Sequence, residues 1–219
     1  MNKSSGFTLI ELAIVLVIIG LLLGGVLKGQ ELINSAKVKN LAADFKNVQV
    51  YLYGYQDKFR ALPGDDAAAD VHLAGATKAT TGAGNGIING NWDASDAGAE
   101  SILFWQHVRL AGFAPGITIV GADVAAFVPR NAEGGRIGIQ SIAGATNLPT
   151  PAMSGSYAVC SANISGKFAR QIDVALDDGE TSTGSVRAYM VASEGVAWVA
   201  SAGESGISNA AAYNVCMSF

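Results

Sequence analysis

The chain has 219 residues; half are apolar, 15% are charged and 27 are glycine. Such a composition excludes a disordered chain, which buries too little to fold, and argues against a bundle of helices alone. A formal net charge of −4 leaves no electrostatic footprint for nucleic acid, so none is expected as a partner. The charge is unevenly placed: Lys28, Lys37, Lys39 and Lys46 follow the first apolar run, whereas Asp and Glu dominate from Asp65 onward.

The chain opens with a short polar stretch, Met1 to Gly6, carrying one positive charge, Lys3. An apolar run of 21 residues, Phe7 to Leu27, starts abruptly after it and contains one carboxylate, Glu11. A secretory signal would place a small-residue cleavage site after the apolar region, and "LLLGGVLKGQ" is a poor one; the sharp junction is Gly6–Phe7. At 1.5 Å per residue the run spans about 32 Å, close to the hydrocarbon thickness of a bilayer. Lys3 then belongs on the cytoplasmic side and the bulk of the chain outside.

From Lys28 to Phe59 there is no proline, and Leu32, Ile33, Ala36, Leu41, Phe45, Val48, Leu52 and Tyr55 recur at helical steps. The spacing predicts an amphipathic continuation of the membrane helix, stopped by "ALPGDD" at 61–66. The result is one helix of roughly 50 residues, apolar all round in its first half and one-sided in its second.

Gly6-Phe7-Thr8-Leu9-Ile10-Glu11-Leu12, after a short basic leader and before an apolar helix, resembles the N-terminus of type IV pilins and type II secretion pseudopilins. The resemblance implies a leader (1–6) removed by a prepilin peptidase between Gly6 and Phe7, with methylation of the new Phe7 amine. It further implies a transmembrane and filament-core half of the helix (7–27), an amphipathic half (28–60) and a globular α+β head (61–219). Gly20 matches a glycine usual in that helix, while Lys28 stands where the family commonly has a proline. A lone carboxylate in lipid is costly, so Glu11 reads as functional. Pairing with the Phe7 amine of a neighbouring copy would relieve two buried charges and set the stagger between subunits. The implied partners are identical subunits, the prepilin peptidase, an inner-membrane assembly platform and, before assembly, the membrane.

Cys160 and Cys216 lie in no metal-ligand spacing, and the two histidines, His72 and His107, stand alone in sequence. A disulfide formed outside the cytoplasm is the expectation, against two buried thiols. In the head, 96–112 is expected to be a helix capped by Asp96 and ended by Gly112, with His107 at the surface or core edge. Strands are expected at 136–140 and 156–162, a helix over 163–179, and a hairpin of 185–193 with 195–201 around Glu194-Gly195. Together these predict an α+β fold in which the long helix packs on a small antiparallel sheet.

Asp173, Asp177 and Asp178 are spaced to converge at a helix end, where carboxylates are unfavourable without a cation, and are the candidate ligands for Ca²⁺. No other cofactor is expected. "GNGIINGNWDASD" (84–96) has isoleucines where a regular calcium loop needs oxygens and reads as a turn loop. Asp65 and Asp66 read as caps for the segment after them, and no catalytic constellation is visible. The expectation is a non-enzymatic filament subunit. The alternatives are a type II secretion pseudopilin, or a low-copy minor pilin acting as an adhesin or DNA-binding tip protein.

Overall fold

The computed structural model describes residues 8–143, 145, 147–149, 152–190 and 207–219. In chain order these form α1 (Leu9–Phe59), α2 (Ala69–His72), α3 (Glu100–Leu110), α4 (Val124–Phe127), β1 (Ile137–Ser141), β2 (Tyr157–Ser165), α5 (Gly166–Leu176), β3 (Val186–Met190) and β4 (Ala212–Ser218). The chain divides into two compact units, Met1–Lys39 and Asn40–Phe219.

The described part of the first unit is the beginning of α1. Its large apolar side chains from Leu9 to Leu27 are exposed, and an 18-residue window reaches a mean hydropathy of 2.8, long and apolar enough to cross a membrane. The helix runs unbroken through Gly20, Gly24 and Gly25, and a Cβ added at any of them would meet nothing within 4 Å. Leu32 and Ile33 are also exposed, so the stripe read from periodicity does not begin to bury there.

In the second unit the helix becomes part of a core. Leu41, Phe45, Val48, Leu52 and Tyr55 are all buried, at successive steps of four, three, four and three residues, which keeps them on one face. Arg60, with φ 54°, turns the chain out of the helix while its N–H still donates to the Gln56 carbonyl at 2.9 Å. The stop therefore comes before the Pro63–Gly64 pair. Helix α3 is buried on every side from Glu100 to Arg109. It does not use Asp96 as a cap: Asp96 accepts from the Gly98 N–H at 2.9 Å, and Ala99 holds the N-cap position. Gly112, in the left-handed region, closes the end as expected. The Arg109 guanidinium donates to the Pro115, Ile117 and Phe127 carbonyls and lies 4.6 Å from the Phe127 ring, tying the 113–128 segment to α3.

The four strands form one antiparallel sheet in the order β1-β2-β4-β3. Two sequence expectations change here. Residues 163–165 complete β2 rather than start a helix; Asn163, with φ 58°, sits in the irregularity between Ser161 and Ile164. The described partner of β3 is β4, a strand that was not expected; the 195–201 half of the expected hairpin lies outside the described residues. The β2–β4 register sets Cys160 directly opposite Cys216, and the two form a disulfide. Together the long helix and this sheet give an α+β architecture of pilin type.

Candidate functional site

Gly6 and Phe7 lie outside the described residues; Glu11 lies within them. Its Oε2 accepts from the Thr8 backbone N–H at 2.8 Å and from the Thr8 hydroxyl at 2.7 Å, while the Glu11 N–H donates to Thr8 Oγ1 at 3.3 Å. This is a capping box: a Thr before the helix and a Glu three residues on satisfy each other's backbone donors. Thr8 is a site residue that the sequence reading passed over, although T-x-x-E ahead of an apolar run signals it. The box gives the acid a local role in starting α1, and both accepted bonds fall on one oxygen, Oε2.

A second polar cluster sits where α1 hands over to the head. Gly64 has φ 92°, and a Cβ there would stand 2.3 Å from the Glu100 carbonyl oxygen, so only glycine fits. The Gly64 N–H donates to Nδ1 of His107 at 2.9 Å, which leaves the ring proton on Nε2, 2.9 Å from the Thr77 carbonyl. His107 is fully buried, not a surface or core-edge residue. Burial holds its pKa below the ordinary imidazole value, against opposing contributions from the Thr77 bond and Asp66.

The neighbouring aspartates carry more than a cap. Asp66 Oδ2 accepts from the Tyr55 hydroxyl and pairs with His72 Nδ1, each at 2.7 Å, and Oδ1 accepts from the Ala68 N–H. Burial pushes the Asp66 pKa up, but the His72, Tyr55 and Ala68 bonds outweigh it and hold the carboxyl below its usual value. The same Asp66 contact, after burial, raises the Tyr55 hydroxyl. Asp65 accepts three backbone N–H groups, from Gly84 (2.6 Å), Asn85 (3.0 Å) and Gly86 (2.7 Å), and so anchors the glycine loop. The 84–96 segment carries no helix or strand, in keeping with a turn loop. The two histidines, alone in sequence, are thus joined through one turn that locks the last residues of α1 to α2 and α3.

Side-chain oxygens of Asp173, Asp177 and Asp178 lie within 4.8 Å of one another. They are hard donors of the type calcium takes, so the residues fit that ion in chemistry and convergence. Asp177 Oδ2 also accepts from the Ser185 and Val186 N–H groups, and Asp178 Oδ1 accepts from the Glu180 N–H.

Residues 1–27 match a family model described as the prokaryotic N-terminal methylation motif. No curated protein and no solved structure matches the chain.

Because the folded chain holds His107 neutral, its contribution to stability is complete above the unfolded imidazole pKa of about 6.5 and is lost as pH falls through the lower folded value. Proton NMR of the imidazole C–H signals should show His107 titrating below 6.5. A midpoint at or above that value contradicts the bond from Gly64.

Proposed function

We infer, for a chain that carries the prepilin-type methylation motif of the type IV pilin-like family, that it is a structural subunit of a helical filament and not an enzyme. The motif implies processing by a prepilin peptidase and assembly through the N-terminal helix. The exposed apolar helix fits membrane anchoring before that step. In our reading the head lies in the periplasm until assembly extracts the helix from the bilayer into a bundle of copies. The finished filament is a type IV pilus-like fibre at the cell exterior.

The observation that carries this reading is a single acid, Glu11, at the start of the apolar 9–27 stretch of α1, whose large side chains are exposed. Cleavage after Gly6 exposes a positive amine on Phe7, close in sequence to Glu11. Among the described residues the capping box engages Oε2; in our reading Oε1 meets the amine of an adjacent copy. A charge-assisted bond of that kind is shorter and stronger than a neutral one, and it neutralises both groups in a medium without water. Apolar rods alone slide past one another, whereas one ionic contact per rod sets a register. A head-to-tail contact that does not close on itself grows as a fibre.

The Cys160–Cys216 bond supports a major pilus subunit over the pseudopilin alternative, because it staples the last strand to β2 in a head that must survive outside the cell. We further propose a calcium ion on Asp173, Asp177 and Asp178, offsetting the charge those acids gather at the end of α5. Calcium should then raise the melting midpoint of the protein and a chelator should reverse the rise, with the effect smaller in Asp178→Asn. A midpoint that ignores both removes the ion from this cluster.

Assembly is tested with two variants expressed alongside the assembly machinery. Glu11→Val should insert normally into the membrane yet lower fibre yield by roughly a hundredfold, the cost of leaving one buried charge unpaired. Gly6→Ala should accumulate at precursor mass. Wild-type fibre yield from the first, or a mature-size band from the second, would count against the reading.

A further inference from the structure

Four carboxylates lie on α1: Glu11, Glu31, Asp44 and Asp57. Glu31 pairs with Lys28 at 2.7 Å, and Asp57 stands 3.4 Å from Arg60. Glu11 is held by Thr8. Asp44 enters none of the described hydrogen bonds or ion pairs. Its neighbours one turn away, Asn40, Leu41, Asn47 and Val48, include no base, so the helix cannot pair it internally.

Asp44 is half-buried, beside a cavity of about 140 Å³ that Val48, Tyr51, Trp105 and Ile137 also line. Burial alone pushes its carboxyl up to about 6, and the Tyr51 hydroxyl is raised first by burial and then by the Asp44 charge. Arg109 and Arg130 border the same cavity, but their guanidinium groups donate to backbone carbonyls: Arg109 to Pro115, Ile117 and Phe127, Arg130 to Ala125 and Gly134. A carboxylate drawn out of water without a cation is costly. The largely apolar cavity beside it suits the end of a lysine, whose methylenes pack there while the ammonium meets the acid.

The same helix carries the complementary charge. Lys39 and Lys46 are exposed, and neither enters a described ion pair. The stagger of the proposed filament chooses between them. If Glu11 of one copy meets the Phe7 amine of the next, each residue of α1 is level with the one four positions earlier on its neighbour. Asp44 then lies level with position 40 of that neighbour. Lys39 is about 1.5 Å below this level and Lys46 about 9 Å above it, while Lys37 is half-buried and about 4.5 Å below. We propose, resting on the filament reading, that Lys39 of an adjacent copy enters the Asp44 cavity and forms a second ionic contact between subunits. One contact at Glu11 leaves a copy free to pivot about it; a second, 33 residues further along α1, fixes its direction as well as its height.

The test is zero-length carbodiimide coupling of filaments sheared from cells, which joins a carboxylate to an amine only where the two are in contact. Wild type should give covalent dimers on a denaturing gel, and mass spectrometry should find a peptide linking Asp44 to Lys39. Asp44→Asn removes the charge without changing the packing, so its filaments should lose that peptide. Lys39→Glu alters an exposed residue, sets two acids face to face and should cut fibre yield at least about tenfold. Adding Asp44→Asn to it removes the repulsion and should recover most of the yield. Wild-type filaments without the Asp44–Lys39 peptide, or full fibre yield from Lys39→Glu, overturn this contact and leave the Glu11 reading standing. A wild type that makes no filament overturns both.

Discussion

An ionised carboxylate inside an apolar helix must find a partner, and that requirement organises the N-terminal half of this protein. In the single chain Glu11 answers it locally by closing a capping box with Thr8. This satisfies backbone donors that the first turn of any helix leaves open, so the acid does not enter the bilayer bare. Among the described residues both bonds fall on one oxygen and neither supplies a positive charge. In the proposed filament the amine freed by cleavage supplies it. On that proposal the same residue starts the helix in the monomer and sets its neighbour's position in the fibre.

The other end of the helix meets a different constraint. In the proposed filament, force would reach each head through the last turns of α1, and a loose hinge there would not carry it. Here it is built from buried groups that satisfy one another: Tyr55 and His72 on Asp66, the Gly64 N–H on His107, and three loop amides on Asp65. Networks of this kind are rigid when complete and costly when one member is lost.

How much of this was legible depended on where each residue found its partner. The helix could be read because its signals are local: an unbroken apolar run, then core positions three and four residues apart. Periodicity also claimed Leu32 and Ile33 for the stripe, since spacing says which side of a helix is apolar but not where its partner begins. Strand β4 escaped because it is buried on both faces from Tyr213 to Ser218, which erases the alternation that marks a half-exposed strand. Helix α3, buried all round, gave only a ragged stripe for the same reason. His107 and His72 looked isolated because their partners come from other elements, as far as 43 positions away in sequence. The cysteine pairing was legible by elimination, whereas the cross-strand register that brings the two residues together was not.

The central claim is the contact between Glu11 of one copy and the Phe7 amine of the next. Electron microscopy of filaments sheared from cells, at a resolution that places side chains, tests it directly. The account predicts subunits beginning at Phe7, with the Glu11 carboxylate about 3 Å from a neighbouring N-terminal nitrogen. Filaments whose subunits keep residues 1–6, or whose Glu11 faces no amine, would contradict it.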